Sequence, residues 1–313
     1  MPNPPIHILL LGAGELGTAF LTHLSRLPNT HITIGVRTPS NYLNLVTHNT
    51  DLTAIDLTSP SESLAEDFSH YDVIISATGF GQDPSAVCKL AKEVLEAGKL
   101  KEGRERGGRL WFFPWQWGVD YDVTGDGEGL MPLFGEQKKV RDLLRREAEG
   151  ANVKWTVVST GIFMSFLFEP FWGMVHRSRE EEGRLVVRAL RDWDHKTTVT
   201  DVQDIGRVLA RIVAGDVDAE NKVMYVAGDT VSYGELAEIV SRVSGKEVKK
   251  ESWAMEHLEE ELRSNPEDGI KKYRLVFARE GVWWDKAQTV NAGLGMSMMG
   301  VEEYTRTLFS GGV

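Results

Sequence analysis

Short apolar runs alternate with helical patterns along the first half of the chain. Ile6–Leu11 and His31–Val36 are apolar runs of strand length, and Glu15–Leu27 between them has the spacing of an amphipathic helix. The same pattern continues downstream, with strands predicted at Leu52–Leu57, Asp72–Ala77, Arg109–Phe113 and Trp155–Val158, helices at Pro84–Ala97 and Leu133–Ala148, and a solvated loop at Lys99–Gly108. This alternation is typical of βαβ units that build a parallel sheet.

The pattern changes after about residue 160, where Phe163–Met174 is dense in aromatic residues. Shorter elements follow, with strands predicted at Arg184–Leu190 and Val223–Ala227, helices at Asp204–Ala214 and Tyr233–Val243, and a polar, helical remainder. The sequence therefore predicts an α/β fold, a Rossmann-type doubly wound parallel sheet with a smaller C-terminal α/β part that binds substrate. We place the boundary between residues 1–160 and 161–313, and the later chain is free to return to the sheet.

Composition narrows the classes of function. The 313 residues include 35 Lys and Arg against 46 Asp and Glu, a net charge of −11, which argues against nucleic-acid binding because a phosphate backbone needs a cationic face. No apolar run approaches the ~20 residues of a membrane helix. The single cysteine, Cys88, fits a reducing compartment, and no group of residues has metal-ligand spacing. We expect a cytoplasmic monomer or homodimer that binds a small molecule and no metal, nucleic acid or membrane.

A glycine-rich motif follows the first predicted strand and opens the first predicted helix. It consists of Gly12, Ala13, Gly14, Glu15, Leu16 and Gly17, the pattern G-x-G-x-x-G. In such motifs the first glycine makes the turn, the second admits a pyrophosphate, and the third lets the helix pack on the strand. The phosphate then lies at the helix N-terminus. The motif predicts a dinucleotide site, and the alternative is a tight turn that binds no ligand.

The end of the second strand carries a cation where NAD-binding proteins carry a carboxylate. This chain has Arg37 there, with the hydroxyls of Thr38 and Ser40 beside it. A guanidinium suits the 2′-phosphate of NADPH, so we expect NADPH/NADP+ as the cofactor. The alternative is that Arg37 is only a solvated surface side chain. Asp56, at the end of the third strand, either faces the adenine or caps the following turn.

Small residues follow the fourth strand. Thr78, Gly79 and Phe80 lie at its carboxyl end, beyond which the ligands of doubly wound sheets bind. We expect this loop to pass close to the nicotinamide ribose. The alternative is a turn whose glycines serve backbone geometry alone.

An aromatic loop follows the fifth strand. Its sequence is Phe112-Phe113-Pro114-Trp115-Gln116-Trp117-Gly118-Val119-Asp120-Tyr121-Asp122, and it holds two of the nine tryptophans. It resembles the Phe-Phe-Pro-Ser-Glu-Phe-Gly-x-Asp-x-Asp stretch of the isoflavone reductase and phenylcoumaran benzylic ether reductase family, which belongs to the NmrA-like atypical short-chain dehydrogenases. Its Pro-Trp-Gln-Trp-Gly form resembles a fungal branch. The glycine motif, Val36-Arg37, Val158–Phe163 and Asp201–Gly206 match as well, so the resemblance spans roughly residues 5–230.

The resemblance implies a Rossmann domain, NADPH, and reduction of an aromatic or otherwise conjugated secondary metabolite. It implies further cofactor contacts at Pro114, Trp115, Thr160, Gly161 and Ile162. Aromatic side chains are expected to contact the substrate, namely Trp115, Trp117, Tyr121, Phe163, Phe166 and Trp172. For the last three of these the alternative is packing in the core.

The lysine that the family uses in catalysis is displaced in this chain. The Tyr-x-x-x-Lys pair of classical short-chain enzymes is also missing. The isoflavone reductase group instead uses a lysine on the helix after the aromatic loop, and the gapless register puts Gln137 at that position. A slip of one residue would put Lys138 there, with Lys139 next, but one helical position is a rotation of about 100°. The catalytic position is therefore assigned to Lys138 or Gln137.

That position separates two kinds of hydride acceptor. Hydride delivery to a ketone or quinone methide leaves an oxyanion that needs a proton donor, which a lysine at this position supplies. Delivery to an iminium carbon neutralises a positive charge and needs none, and tryptophan faces attract cations. We therefore expect an NADPH-dependent reductase of imine or iminium carbons, or of conjugated aromatic C=O or C=C centres. The alternative is an NmrA-like sensor that binds the dinucleotide and a protein partner without turnover.

Overall fold

The computed structural model of the chain describes residues 5–79, 83–103, 108–177 and 185–309. Within these ranges the strands are β1 (Ile6–Leu11), β2 (Thr30–Val36), β3 (Thr50–Ala54), β4 (Val73–Ser76), β5 (Leu110–Phe113), β6 (Val153–Ser159), β7 (Ile162–Phe163), β8 (Val175–Arg177), β9 (Leu185–Leu190), β10 (Lys196–Thr200), β11 (Lys222–Tyr225), β12 (Asp229–Ser232) and β13 (Val248–Trp253).

The helices of the described residues follow the same chain order. They are α1 (Glu15–Leu24), α2 (Ser61–Phe68), α3 (Ala86–Glu102), α4 (Tyr121–Thr124), α5 (Pro132–Glu147), α6 (Val202–Val213), α7 (Tyr233–Ser244), α8 (Met255–Ser264), α9 (Gly269–Phe277), α10 (Val290–Gly293) and α11 (Val301–Phe309). Short 3₁₀ turns occur at Pro39–Leu45, Glu149–Ala151, Met164–Phe168 and Lys286–Gln288.

The central sheet has seven strands in the order β11-β6-β5-β4-β1-β2-β3. Strands β1 to β6 pair in parallel, and Ile8–Leu11 of β1 are almost completely buried. Burial on both faces explains why β1 reads as an unbroken apolar run. The order 3-2-1-4-5-6 is that of the Rossmann fold, with its switch point between β1 and β4. The predicted fold class is confirmed.

The chain divides into two compact units. The first contains residues 1–117, 135–158 and 205–224, and the second contains residues 118–134, 159–204 and 225–313. The sequence predicted a single boundary at residue 160, whereas in the structure the chain changes unit five times. Residues 205–224, which include most of β11, return to the first unit.

The second unit contains two three-stranded sheets, β12-β10-β7 and β13-β9-β8. Its core is rich in aromatic side chains, and Trp172 and Tyr233 are among its largest fully buried members. Strand β13 lies in the C-terminal region where the sequence predicted only helix. It pairs in parallel with β9, and its run of four consecutive polar residues hides that pairing in the sequence.

Helix α3 extends beyond its predicted end. The sequence predicted a loop from Lys99, but the helix continues to Glu102. Lys101 is buried there, and its ammonium pairs with the carboxylate of Asp72 at 2.9 Å. A charged residue that looks solvated in the sequence is therefore a tertiary contact. No helix in the described ranges is both long and apolar enough to cross a bilayer.

Candidate active site

The glycine motif forms a closely packed turn between β1 and α1. Gly12 has a φ of +98°, and a Cβ on it would lie 2.8 Å from Oγ1 of Thr78 and 3.1 Å from the backbone of Ala77. A Cβ on Gly17 would lie 2.2 Å from the carbonyl oxygen of Gly12. Side chains are therefore excluded at both positions, and the ends of β1 and β4 approach the start of α1.

Gly14 has the opposite environment. A Cβ there would meet nothing within 4 Å, and Gly14 gives α1 no side-chain cap. Ala13 is half-buried and Glu15 is exposed, whereas Leu16 packs into the core. The loop is therefore closely packed at Gly12 and Gly17 and open at Gly14, beside the N-terminus of α1. Backbone N–H groups at a helix N-terminus bind phosphate. These residues fit the pyrophosphate of a dinucleotide.

Arg37 lies directly after β2. Its side chain is exposed, as are Thr38 and Ser40, and no hydrogen bond or ion pair occupies the guanidinium among the residues that the structure describes. The carboxylate of Asp56 accepts hydrogen bonds from the backbone N–H and the hydroxyl of Thr58, at 2.9 and 2.8 Å. These bonds, with the nearby charge of Arg37, hold the pKa of Asp56 below its ordinary value. Asp56 therefore caps the following turn, and its expected position facing the adenine stays a prediction.

The loop after β4 is described only up to Gly79. Thr78 is half-buried against Gly12, and Gly79 is exposed. Phe80, the third residue predicted in this loop, lies outside the described residues. The expected approach of Thr78 and Gly79 to the nicotinamide ribose stays a prediction.

The two tryptophans of the aromatic loop have different environments. Trp117 is buried, its indole Nε1 donates to the carbonyl oxygen of Ser76 at 2.8 Å, and its ring packs edge-on against Phe20 at 4.5 Å. The ring of Trp117 is used in packing within the first unit, and the expectation that it contacts substrate stays a prediction. Trp115 is partly exposed, and Pro114 before it is buried. The expected contacts of Trp115 with cofactor and substrate also stay predictions.

Gln137 holds the aromatic loop from helix α5. It is 2% exposed, and its Nε2 donates to the carbonyl oxygen of Trp115 at 3.0 Å. The backbone carbonyl oxygen of Gln137 accepts a hydrogen bond from Nε2 of Gln116 at 2.7 Å. Oε1 of Gln116 in turn accepts from Nε of the fully buried Arg141 at 2.7 Å. Gln137 and Arg141 are one helical turn apart, so they share a face.

Lys138 and Lys139 point elsewhere. The ammonium of Lys138 pairs with the carboxylate of Asp142 at 2.7 Å, and its side chain is 39% exposed. Lys139 pairs with Glu136 at 2.7 Å. The residue that faces the loop is therefore Gln137, and the assignment of the catalytic position to Lys138 or Gln137 stays a prediction.

Thr160, Gly161 and Ile162 are buried in the second unit. The backbone N–H groups of Thr160 and Gly161 both donate to the carbonyl oxygen of Gly118, at 2.8 and 3.0 Å, and Ile162 begins β7. The backbone N–H groups of Thr160 and Gly161 therefore have hydrogen-bond partners within the second unit. The cofactor contacts expected of the three residues stay a prediction.

Two of the expected substrate aromatics belong to the core of the second unit. Tyr121 packs edge-on against Phe134 with ring centroids 5.0 Å apart, and Trp172 packs against Tyr273 and Phe277 at 5.7 and 5.4 Å. Both are at most 4% exposed. Both rings pack within the second unit, and the expectation that they contact substrate stays a prediction.

Phe163 and Phe166 are partly exposed. They pack edge-on at 5.6 Å, and Phe166 packs on Phe171, which is 46% exposed. These three rings form an accessible aromatic strip on the second unit. Phe163 and Phe166 remain predicted substrate contacts.

Sequence reasoning missed the residues that support the loop. Arg141 had a detectable signal, since residues 137 and 141 have i, i+4 spacing on one predicted helix, whereas Gln116 in the loop had none. Tyr225 was also missed, and its hydroxyl donates to Asp120 at 2.7 Å within the second unit. Among the described residues, no group of three or more His, Cys, Asp or Glu side chains is arranged to hold a metal ion.

A glycine cradle at the carboxyl edge of a 3-2-1-4-5-6 sheet defines the class of the first unit as a Rossmann domain of the dinucleotide-binding type. The NmrA-like family matches residues 6–304 of this chain. A Gibberella moniliformis protein described as an NmrA-like family domain-containing oxidoreductase is 37% identical over 96% of this chain and 97% of its own. The maize isoflavone reductase homolog IRL is 30% identical over 62% of this chain and 58% of its own.

Solved structures show the same fold. Isoflavone reductase superposes with a TM-score of 0.75 at 20% identity, covering 97% of this chain and 99% of that one. The complex of leucoanthocyanidin reductase with NADPH from Vitis vinifera has a TM-score of 0.71 at 16% identity, with coverages of 97% and 99%. The chain belongs to the NmrA-like family. The resemblance inferred from the aromatic loop is confirmed.

Proposed function

We propose that the chain is an NADPH-dependent reductase that transfers hydride to the carbon of a C=N bond, an imine or iminium, in a small organic substrate. The observation that carries this proposal is the buried side chain of Gln137 at the family's lysine position. A neutral amide cannot act as the proton donor that an oxyanion product requires. The NADPH in the leucoanthocyanidin reductase complex supports the choice of cofactor.

The first unit supplies the residues that would hold the cofactor. The Gly12–Gly17 loop would hold the pyrophosphate, and Arg37 with the hydroxyls of Thr38 and Ser40 would hold the 2′-phosphate. Thr78, Gly79, Pro114 and Trp115 would lie toward the nicotinamide. When bound, the cofactor supplies a hydride from its dihydronicotinamide ring. Asp56 is engaged with Thr58 and would act on the adenine side only through its charge.

An iminium substrate removes the need for a proton donor. Its carbon accepts the hydride, the C=N electron pair moves onto nitrogen, and the positive charge is neutralised to give an amine. A ketone would instead leave an oxyanion that must be protonated. Gln137 suits the first reaction, and Lys138, held by Asp142 on a neighbouring face, is not placed for the second.

Trp115 is the aromatic side chain proposed to contact the substrate. Its partial exposure at the end of β5 leaves it accessible, whereas Trp117 is buried. An indole face attracts a cation by about 0.5–2 kcal/mol, depending on how far the pair is desolvated. This attraction favours an iminium over a neutral carbonyl compound.

The neutral Gln137 also suits a second candidate, an NmrA-like sensor that binds the dinucleotide and a protein partner without turnover. The deciding experiment is NADPH oxidation with matched panels of cyclic imines, aromatic enones and benzylic ethers. Turnover of imines above the others supports the proposal. Preference for enones or ethers would replace the imine by a conjugated C=O or C=C centre. No turnover, with NADP+ and NADPH bound equally well, would favour the sensor.

Trp115→Ala provides an independent test. A reductase should lose kcat/KM for cationic substrates, whereas a sensor should keep its cofactor affinity and partner binding. The control is Trp283→Ala, which removes an exposed tryptophan, 38% accessible, from the second unit. We further propose, from the acidic composition, single cysteine and family, that the reaction belongs to cytoplasmic secondary metabolism.

A further inference from the structure

The side-chain amide oxygen of the buried Gln137, Oε1, has no hydrogen-bond partner among the described residues. The orientation of this amide follows from its other end, because the carbonyl oxygen of Trp115 accepts but cannot donate and therefore faces Nε2. The atom without a partner is Oε1, an acceptor. A buried acceptor without a donor is unfavourable, so its retention indicates a partner that the protein does not itself provide.

Neighbouring hydrogen bonds hold this amide in place. The backbone of Gln137 is anchored by Gln116, which is in turn held by Arg141, and all three side chains are at most 2% exposed. Such a network allows the amide little freedom to turn and satisfy Oε1 in another way.

The amide lies at the ligand-binding edge of the sheet. Gln137 contacts the carbonyl of Trp115, two residues beyond β5, and the indole of Trp117 contacts the last residue of β4, Ser76. Strands β4 and β5 are adjacent and parallel, so both carboxyl ends lie at one edge. In doubly wound sheets the ligand binds beyond that edge.

We propose that Oε1 of Gln137 accepts a hydrogen bond from an N–H group of the substrate, so that the enzyme selects N-protonated iminium ions over N-alkylated ones. This inference rests on the proposed function and specifies its substrate class. In the reaction the iminium carbon gains the hydride, the C=N pair becomes the nitrogen lone pair, and the N–H proton remains on nitrogen. Residue 137 therefore orients the substrate and transfers no proton.

The test measures binding without turnover, using NADP+ in place of NADPH. The probes are protonated dihydroisoquinoline and its N-methyl iminium salt, with dissociation constants measured by calorimetry. Leaving a buried acceptor unpaired weakens binding by about 5- to 150-fold. Wild-type protein should therefore bind the N–H probe tighter than the N-methyl probe by a factor in that range. In Gln137→Met the preference for the N–H probe should fall to the small factor that the bulk of the probe's N-methyl group causes by itself.

Two variants control for loss of structure. Gln137→Glu keeps an acceptor oxygen and should keep the N–H preference. Gln116→Met removes another hydrogen bond of the same network and should weaken both probes alike, leaving their ratio unchanged. Thermal unfolding shows whether each variant folds, and Gln137→Leu replaces Gln137→Met if the latter does not.

The outcomes separate this inference from the proposed function. An equal probe ratio in wild type and Gln137→Met, or no binding of either probe, overturns the inference. A loss of NADP+ affinity in Gln137→Met with an unchanged probe ratio also overturns it, because the acceptor then serves the nicotinamide carboxamide. Preferential N–H binding without NADPH oxidation supports the inference and overturns the reductase. Oxidation of NADPH with both probes at equal kcat/KM supports the reductase and overturns the inference.

Discussion

The side-chain amide nitrogen of Gln137 lies 3.0 Å from the carbonyl oxygen of Trp115, so this position of helix α5 holds the aromatic loop. The next residue, Lys138, lies about 100° further around the helix. Its ammonium pairs with Asp142 at the surface. This difference of one position allows a direct test of whether a lysine takes part in the chemistry.

Lys138→Met should leave kcat/KM unchanged within error. The ion pair that it removes is exposed, and such pairs contribute at most about 1 kcal/mol to the free energy of unfolding. Steady-state NADPH oxidation and urea unfolding measure the two quantities, with Lys139→Met as the matched surface control. If Lys138 were the proton donor, its loss would cost roughly 10²–10⁴-fold in rate, and such a loss would refute the assignment of the inward position to Gln137.

A second prediction separates the two functions of the glycine motif. Gly14→Ala places a methyl group in open space, so the unfolding midpoint should stay near that of wild type while the affinity for NADPH falls, because the methyl stands where the pyrophosphate approaches. Gly17→Ala places a Cβ 2.2 Å from the carbonyl oxygen of Gly12 and should destabilise the fold itself, by about 1–3 kcal/mol or more.

Calorimetric titration with NADPH and thermal unfolding of both variants make the comparison. Unchanged NADPH affinity in a well-folded Gly14→Ala protein would show that the pyrophosphate does not bind at this loop. A stable Gly17→Ala protein would show that α1 is less closely packed on the loop than the structure indicates.

A third prediction concerns the choice of cofactor. Arg37→Ala should weaken NADPH binding by about 10- to 150-fold, since hydrogen bonds to a charged group contribute about 1.5–3 kcal/mol. NADH binding should barely change, because NADH lacks the 2′-phosphate. Arg26→Ala removes another exposed arginine of the same unit and is the matched control for net charge. Equal losses for NADPH and NADH would show that Arg37 does not contact the 2′-phosphate.

The positions of the buried strands along the chain were predictable from the sequence. Contacts between residues far apart in the chain were not. Strand β1 matches its predicted bounds, because a strand buried on both faces reads as an unbroken apolar run. Strand β13 was missed because its three consecutive charged residues give no alternation of apolar and polar positions. Lys101 was assigned to a loop, since its partner Asp72 lies 29 positions away in the chain.

The same limit applies to the candidate site. The glycine motif was identified from its spacing, because a tight turn is a local property, and Gln137 was singled out by the resemblance of the aromatic loop to the isoflavone reductase family. The aromatic residues Trp117, Tyr121 and Trp172 were assigned to the substrate, although the structure buries all three. An aromatic side chain in a loop reads identically whether it packs inward or faces a ligand, and only distant partners such as Phe20 decide between the two.

A last prediction follows from a histidine of the second unit. His195 is buried, and its Nε2 lies 2.9 Å from the carbonyl oxygen of Phe277, to which it donates. Burial lowers the pKa of His195 below its ordinary value of 6.5. The unfolded chain therefore takes up a proton as the pH falls below 6.5 while the folded protein does not, so the free energy of unfolding should decrease there, by at most about 1.4 kcal/mol per pH unit.

His195→Gln keeps a donor for the Phe277 carbonyl oxygen but does not titrate, so its urea-unfolding free energy should fall less than that of wild type between neutral and mildly acidic pH. His257→Gln is the control, because His257 lies on the exposed side of α8, near Glu261 at 4.0 Å. Its pH profile should follow the wild type. Since acid also titrates carboxylates such as Asp192, the informative quantity is the difference between the two variants, and parallel profiles would contradict a neutral, buried His195.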